Sequence, residues 1–181
     1  SFNEIAGVPS TSNRWLLTDL LRDDWKFDGF VVTDYSSLNE LIPHGVATDL
    51  AHATELAINA GVDMDMQGSA FLTQLDTLVK SGKVSEETLD NAVRRILVAK
   101  YRLGLFDDPY RYCDKQREAN EIMTPGHRAF AREFVAKSCV LLKNENKTLP
   151  VPESAKTIAV IGPLADSKMD MLGFWFGAGQ F

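Results

Sequence analysis

The sequence predicts an α/β fold with parallel strands, and two observations support this. A helical pattern over 13–25 leads into an extended pattern over 30–33, and the same succession recurs with a helix over 49–60 and a strand over 62–66. The strand 30–33 is apolar on both faces, which is typical of a strand buried in a parallel sheet. Strands and helices that alternate in this way favour an α/β architecture.

The helix over 13–25 is predicted from leucines at helical spacing, with Ser12 or Asn13 placed to cap its first turn. Asp28-Gly29 then signals a turn before the first strand. The second helix is rich in alanine, and Gly61 is suited to end it. The leucines of the first helix are Leu16, Leu17, Leu20 and Leu21.

Two further helices are predicted over 70–80 and 86–103. The second of these has Ser85 as its cap and Gly104 as its stop, and the acidic residues in its first turn are favourable to the helix dipole. We expect the apolar stripe of this helix to be buried. The stripe consists of Leu89, Val93, Ile96 and Leu97.

A second α/β unit is predicted in the last third of the chain. The segment 106–126 is rich in Asp, Pro, Tyr and Lys, which predicts a connection over the surface. A helix over 127–143 and a strand over 157–162 follow it. Too little sequence follows that strand to cover a sheet, so we expect both ends of the chain to be cut.

Composition excludes several classes of function. The chain has 181 residues, a net charge of −6 and a pI of about 5.1, so it lacks the basic field that nucleic acid requires. No apolar run approaches the roughly 20 residues that cross a bilayer. We therefore expect neither nucleic acid nor a membrane as a partner.

The sequence also predicts neither a cofactor nor a metal. No P-loop or GxGxxG motif is present, and Cys113 and Cys139 lack the spacing of zinc ligands. Two free thiols are favoured over one disulfide.

Asp34 is the first candidate for chemistry because it follows the strand 30–33. In parallel α/β folds the ligand site lies at the carboxyl ends of the strands. A carboxylate there can attack an anomeric carbon, act as a base or hold a metal. On position alone, a role in a turn or a helix cap is favoured over these.

Two further carboxylates, Asp63 and Asp65, alternate along the second strand and so share one face of it. In a barrel that face could be the interior near the mouth of a site. We favour a structural role, in which one carboxylate satisfies backbone groups and the other forms a buried ion pair. For His44, in the loop after Asp34, lining a pocket is the lesser alternative. Tyr35 can stack on a sugar ring or pack as an ordinary aromatic residue.

Taken together, these motifs resemble the nucleophile region of glycoside hydrolase family 3, in particular its bacterial, periplasmic-type β-glucosidases. The similarity covers almost the whole chain, in the order found in the family. The segments that carry it are Ser1-Phe-Asn-Glu-Ile-Ala-Gly-Val-Pro9, Asn13-Arg-Trp-Leu-Leu-Thr-Asp-Leu-Leu-Arg-Asp23, Asp28-Gly-Phe-Val-Val-Thr-Asp-Tyr35, Asn59-Ala-Gly-Val-Asp-Met-Asp-Met66, Lys100-Tyr-Arg-Leu-Gly-Leu-Phe-Asp-Asp-Pro109, Val140-Leu-Leu-Lys-Asn144 and Ile158-Ala-Val-Ile-Gly-Pro-Leu-Ala-Asp166.

The resemblance implies the last part of a (β/α)8 TIM-like barrel over 1–105, an interdomain linker over 106–125 and the start of an α/β sandwich domain over 126–181. It also implies a retaining β-glucosidase that acts on β-glucosides or cello-oligosaccharides, with Asp34 as the nucleophile that forms a covalent glycosyl-enzyme. A retaining mechanism needs a second carboxyl group roughly 5 to 5.5 Å away. The family's acid/base segment has no match before Phe181, so the isolated chain is expected to be inactive.

Two positions depart from the pattern of many relatives, which carry Tyr where this chain has Phe2 and Trp or His where it has Tyr35. Both residues are expected to contact substrate, and the departures bear on aglycone preference rather than on activity. The alternatives are a β-xylosidase or other β-glycosidase of the same family, and a non-catalytic sugar-binding relative. By the same resemblance the protein is expected to be periplasmic or secreted, and a homodimer is compatible with it.

Overall fold

The computed structural model describes residues 2–172 and divides into two compact units, Ser1–Arg117 and Glu118–Phe181. The first unit contains both strands of the expected barrel and every candidate site residue. It opens with an antiparallel hairpin and a short 3-10 helix. These are β1 (Glu4–Ile5), β2 (Val8–Pro9) and the 3-10 helix Ser10–Ser12.

The helix predicted over 13–25 is present as a π-helix over Trp15–Asp24. Trp25 N donates to Leu20 O, five residues back, at 2.9 Å. The predicted cap is confirmed at Asn13, whose side-chain oxygen accepts from Leu16 N at 3.1 Å. The leucine spacing predicted the helix but not its type, because the wider turn goes with tertiary contacts, which apolar spacing does not report.

Four α-helices follow in the first unit, three of them at the predicted positions. They are α1 (Ser37–Glu40), α2 (Leu50–Ala60), α3 (Ala70–Lys80) and α4 (Glu86–Arg102). The predicted limits are confirmed at Ser85, which accepts from Thr88 N, and at Gly61, which ends α2 with a φ of 115°. The single turn α1 is too short to show a periodic pattern and was not predicted.

The segments 30–33 and 62–66, predicted as strands, do not form full strands; they run parallel to each other and share one bridge, between Val32 and Met64. Met64 N donates to Val31 O at 3.1 Å, and Thr33 N donates to Met64 O at 2.9 Å. This is the local hydrogen-bond pattern of a parallel sheet. Within residues 2–172 the only sheet with two full strands is the β1–β2 hairpin.

The main core of the first unit lies between the π-helix, α1, α2 and the start of α3. Leu38 is fully buried there, and burial of a leucine side chain contributes roughly 1.5–3 kcal/mol. Thr18 Oγ1 of the π-helix donates to Ala60 O at 2.8 Å. Val62 belongs to the same cluster, so this core anchors the strand 62–66. A second cluster of Ile58, Leu78 and Val84 joins α2 to α3.

The apolar stripe of α4 was predicted to be buried, and this is wrong for two of its residues. Val93 and Leu97 are each 45% exposed, whereas Leu89 packs against the second cluster. The two exposed residues line an open cleft together with Tyr101 and Phe106. Helical periodicity identifies an apolar face but does not say what covers it.

The segment after α4 folds back onto the end of that helix. Arg111 Nη1 and Tyr112 Oη both donate to Leu103 O, at 3.2 and 3.1 Å. Arg117 Nη2 then donates to Tyr112 O, and α5 occupies Lys115–Glu121. These bonds satisfy a carbonyl that the helix terminus would otherwise leave free.

The described part of the second unit contains the end of α5, the helix α6 (Pro125–Ser138), two short 3-10 helices (Glu145–Lys147 and Met169–Met171) and extended or turn segments. Thr124 caps the helix by accepting from His127 N. The helix ends at Ser138 rather than at 143, and the strand predicted over 157–162 is not formed within the described residues. Both expectations were wrong. A strand needs a neighbour to complete its hydrogen bonds, and apolar composition alone does not supply one.

Candidate active site

Asp34 lies at the carboxyl end of the extended segment 30–33, beside the end of the segment 62–66. The residue is exposed, and its Oδ1 accepts a hydrogen bond from the backbone N–H of Tyr35 at 2.7 Å. This edge is where ligands bind in parallel α/β folds. The structure therefore presents a solvent-accessible carboxylate at the position where a ligand would meet it.

The backbone turns sharply just after Asp34. Ser36 adopts a left-handed conformation with a φ of 56°, which residues other than glycine rarely do, and such strain clusters at functional sites. Ser36 N donates to Met66 O at 3.0 Å, and Ser36 Oγ donates to Gln67 Oε1 at 2.5 Å. The turn that carries Asp34 is thus joined to the turn after the neighbouring strand.

Thr33, directly before Asp34, is buried and bonds twice to the neighbouring strand. Its backbone N–H donates to Met64 O at 2.9 Å, and its Oγ1 accepts from Met66 N at 2.8 Å. Sequence reasoning missed this residue, because one threonine at a strand end forms no pattern. Its place directly before Asp34, in the segment 28–35 that carries the family resemblance, was the signal that could have drawn attention to it.

Asp63 forms a buried ion pair, as the sequence reasoning favoured for one of the strand carboxylates. Its Oδ2 accepts from Arg22 Nη2 at 2.5 Å and from Val31 N at 2.8 Å. Its Oδ1 accepts from Arg95 Nη1 of α4 at 2.7 Å. The Asp63 side chain is 1% exposed, so the carboxylate belongs to the framework and is not open to a substrate.

Asp65 satisfies backbone groups, which confirms the other half of that prediction. Its Oδ2 accepts from Ala70 N at 2.7 Å and from Phe71 N at 3.4 Å, in the first turn of α3. A carboxylate at a helix N-terminus is favoured by the helix dipole. Both strand carboxylates are therefore directed at neighbouring helices.

Arg22 joins several backbone segments around Asp63. Burial lowers the pKa of its guanidinium from the ordinary value, attraction to Asp63 opposes this, and repulsion from Arg95 adds to it. Its Nη1 donates to Gly29 O at 3.0 Å, and its Nη2 donates to Gly61 O at 3.1 Å. Because arginine stays charged in proteins, two cations compensate one carboxylate here.

Phe2 and Tyr35 both present exposed aromatic rings, with Tyr35 half exposed. The segment that follows Phe2 is joined to the first turn of α1, because the hydroxyl oxygens of Thr11 and Ser37 lie 3.2 Å apart in the interior. α1 begins three residues after Asp34. Exposed aromatic rings are suited to stack against a sugar ring.

His44 takes part in a surface contact. Its Nδ1 lies 3.2 Å from Glu4 Oε1, and both residues are exposed. The contact ties β1 to the loop that follows α1. The structure thus gives His44 a surface contact with Glu4 in place of the pocket-lining alternative.

In residues 2–172 no three or more His, Cys, Asp or Glu side chains are grouped to hold a metal ion. Cys113 and Cys139 are both exposed and free. None of the helices in that range combines the length and the apolar character needed to span a membrane.

Two family models match this chain. The model of the glycosyl hydrolase family 3 N terminal domain matches residues 1–99, and that of the C-terminal domain of the same family matches residues 139–181. The chain belongs to glycosyl hydrolase family 3. The family resemblance seen in the sequence is thereby confirmed.

Curated relatives resemble the chain over nearly its whole length. A periplasmic beta-glucosidase of Salmonella typhimurium is 46% identical over 183 aligned positions, which cover 99% of this chain and 24% of the relative. A beta-xylosidase of Formosa agariphila is 40% identical over 177 positions, which cover 92% of this chain and 24% of the relative. The chain therefore spans about a quarter of the length of these curated relatives.

A solved beta-glucosidase structure agrees with these matches. A beta-glucosidase involved in saponin metabolism from intestinal bacteria superposes with a TM-score of 0.79 at 38% identity, covering 99% of this chain and 24% of that one. The structural neighbours indicate the α/β, TIM-barrel-type fold of the family. Predicted from the sequence as α/β, the fold class is confirmed at this level.

Proposed function

We propose that this family 3 chain carries the nucleophile of a retaining β-glucosidase and that Asp34 is that nucleophile. One observation carries the proposal: Asp34 is an exposed carboxylate at the carboxyl end of the extended segment 30–33, which forms a parallel bridge to the segment 62–66. The neighbouring carboxylates Asp63 and Asp65 are engaged by arginines and by a helix terminus. Asp34 is therefore the one of these three that can approach a substrate.

The proposed reaction has two steps, each centred on the anomeric carbon. In the first, a carboxylate oxygen of Asp34 bonds to the anomeric carbon, and the bond between that carbon and the aglycone oxygen breaks. A second carboxyl group protonates the departing oxygen. In the second, water attacks the same carbon, the second carboxylate takes a proton from the water, and Asp34 is released. The second group is not assigned to any residue of this chain.

We propose the domain limits expected from the sequence, with the last part of the barrel over 1–105, a linker over 106–125 and the start of the sandwich domain over 126–181. The family models that match 1–99 and 139–181 support this division. The separation of the two compact units after Arg117 falls inside the proposed linker.

The proposed substrates are terminal β-D-glucosyl residues of β-glucosides or cello-oligosaccharides, with Tyr35 and Phe2 as contacts for the sugar or the aglycone. Similarity to the periplasmic beta-glucosidase over 99% of the chain supports glucose as the preferred sugar. The same relative supports a periplasmic or secreted location. A homodimer belongs to the proposal only by analogy with the family.

The test is to treat the full-length gene product that carries this chain with a 2-deoxy-2-fluoro-glucosyl fluoride. This reagent slows the second step and traps the glycosyl-enzyme, so we expect the added mass on the peptide that contains Asp34. We also expect Asp34→Ala to lower kcat/KM by at least roughly a thousandfold, because the covalent route is lost. The control is Asp76→Asn, which replaces an exposed carboxylate on α3 and should keep the wild-type kcat/KM.

Azide separates the nucleophile from the acid/base in this test. In Asp34→Ala the small anion can occupy the vacated space and attack from the face opposite the aglycone, which gives an α-glucosyl azide. Recovery of a β-glucosyl azide would instead assign Asp34 as the acid/base. A trapped sugar on any other residue would refute the assignment of the nucleophile.

A β-xylosidase is the second candidate, because a relative of that name is 40% identical over 92% of the chain. The substrates of the two candidate enzymes differ in one hydroxymethyl group, which a β-glucoside has and a β-xyloside lacks. The kcat/KM values of the full-length gene product for 4-nitrophenyl β-glucoside and β-xyloside discriminate between them. A ratio above one supports the glucosidase, and a ratio below one supports the xylosidase.

A further inference from the structure

The extended segment that leads to Asp34 follows the regular parallel pattern at the Val32–Met64 bridge. Before this bridge Val31 N donates to the Asp63 carboxylate, and after it the pattern is left again at Thr33. In a parallel ladder, a residue that donates its N–H to one partner accepts on its own carbonyl from the N–H two residues further along that partner strand. Thr33 N donates to Met64 O, so Met66 N should donate to Thr33 O. In this chain Met66 N donates to the Thr33 hydroxyl oxygen instead, at 2.8 Å.

The next rung of the ladder is displaced as well. A regular ladder would pair Tyr35 N with Met66 O, but Ser36 N takes that place at 3.0 Å. Tyr35 N donates instead to the Asp34 carboxylate at 2.7 Å. One extra residue is thus inserted between the rungs at Thr33 and Ser36, as in a β-bulge. Bulges next to active sites re-aim a side chain.

We propose that Thr33 is a positioning residue for Asp34. Its hydroxyl stands in for the backbone acceptor of the ladder, so the chain can leave the strand at Asp34 while Met66 N keeps its hydrogen bond. Thr33 is 3% exposed, so water cannot readily replace this acceptor. The inference rests on the proposed function of Asp34, because it concerns how that carboxylate is held.

The deciding comparison is between Thr33→Val and Thr33→Ser in the full-length gene product. Valine keeps the shape of threonine but cannot accept from Met66 N, whereas serine retains the hydroxyl. We expect Thr33→Val to lower kcat, and the rate constant of inactivation by the fluoroglucosyl reagent, by roughly ten- to a hundredfold, because small misplacements of a reacting group are costly. KM and the Kd for glucose should stay near their wild-type values, and Thr33→Ser should retain most of the wild-type kcat.

The matched control is Thr54→Val. Thr54 is also fully buried, and its hydroxyl donates to Leu50 O at 2.8 Å, but it lies within α2. We expect this variant to retain the wild-type kcat. If Thr33→Val does not fold, Thr33→Ala replaces it in the test. Alanine leaves room for a water to accept from Met66 N, so the loss of kcat should be smaller than the loss expected for Thr33→Val.

The outcomes separate this inference from the proposed function. Suppose that the wild-type protein is labelled on Asp34, but that Thr33→Val, or Thr33→Ala used in its place, reacts at the wild-type rate. The positioning role of Thr33 is then refuted, and the assignment of Asp34 as the nucleophile stands. Equal losses in Thr33→Val and Thr54→Val also refute it, because they indicate a general effect of burying a valine. If the wild-type protein is not labelled on Asp34, both proposals are overturned.

Discussion

At the scale of single residues, the buried side chain of Asp63 accepts three hydrogen bonds near the proposed nucleophile. It accepts from two arginines and from Val31 N, on the strand that leads to Asp34. We expect Asp63→Asn to lower the free energy of unfolding by about 3–5 kcal/mol, because removal of one partner leaves buried cations uncompensated. The partly exposed Arg95 places the effect toward the lower end of this range.

The measurement is urea denaturation of the full-length gene product, with Asp76→Asn as the control. Asp76 forms an exposed ion pair with Lys80 on α3, and its substitution should cost less than about 0.5 kcal/mol. An Asp63→Asn variant that unfolds at the same urea concentration as this control would contradict a stabilising role for the ion pair.

The roles of some individual residues follow from the sequence and those of others do not. Period-two alternation and the cost of burying a carboxylate predict the structural roles of Asp63 and Asp65, although not their partners. The hydroxyl of Thr33 and the left-handed backbone of Ser36 leave no trace in the pattern, because both depend on the strand beside them. A family resemblance singles out Asp34, but only the structure shows how it is held.

At the scale of elements, the junction between the strand 62–66 and α3 depends on Gly68. A Cβ atom there would lie 2.4 Å from Asn39 Oδ1 and 3.0 Å from Asp65 Oδ1. Asn39 belongs to α1 and Asp65 caps α3, so three elements meet at this point. We expect Gly68→Ala to destabilise the protein by about 1–3 kcal/mol, as overpacking does.

A double-mutant cycle with Asn39→Ala checks this steric explanation by chemical denaturation. The double variant should be more stable than the sum of the single effects predicts, by at least about 0.5 kcal/mol, because the clash is gone. Gly126→Ala is the control, since its nearest atom would be 3.8 Å away. Strictly additive effects would show that a clash with the Asn39 side chain does not cause the destabilisation by Gly68→Ala.

The limits of elements are predictable where local signals set them. α3 was predicted at its observed limits, and the caps of α2 and α4 lie where Gly61 and Ser85 place them. The π-helix and the unformed strand 157–162 were not predictable, since hydrogen bonds to other segments decide both. Capping is encoded within a few residues, whereas strand pairing is not.

At the scale of the whole molecule, the succession of helices and strands predicts the α/β class, and the family models agree with it. The pattern does not tell what covers each apolar face. Val93 and Leu97 on α4 are an example, because both belong to an apolar face and are 45% exposed in this chain. Periodicity reports amphipathicity, whereas burial depends on the whole set of packed elements.

The last prediction concerns the 181-residue chain by itself, which we expect to lack glycosidase activity. It spans about a quarter of its curated relatives, and the proposed chemistry requires a second carboxyl group close to Asp34 that has not been assigned within it. The measurement is hydrolysis of a fluorogenic β-glucoside by the purified chain, with its mass verified, beside the full-length gene product. Asp34→Ala of the same chain controls for a contaminating enzyme. Turnover that is present in the chain and absent from this variant would show that 181 residues already supply both carboxyl groups, and the search for the acid/base would then turn to the glutamates and aspartates of this sequence.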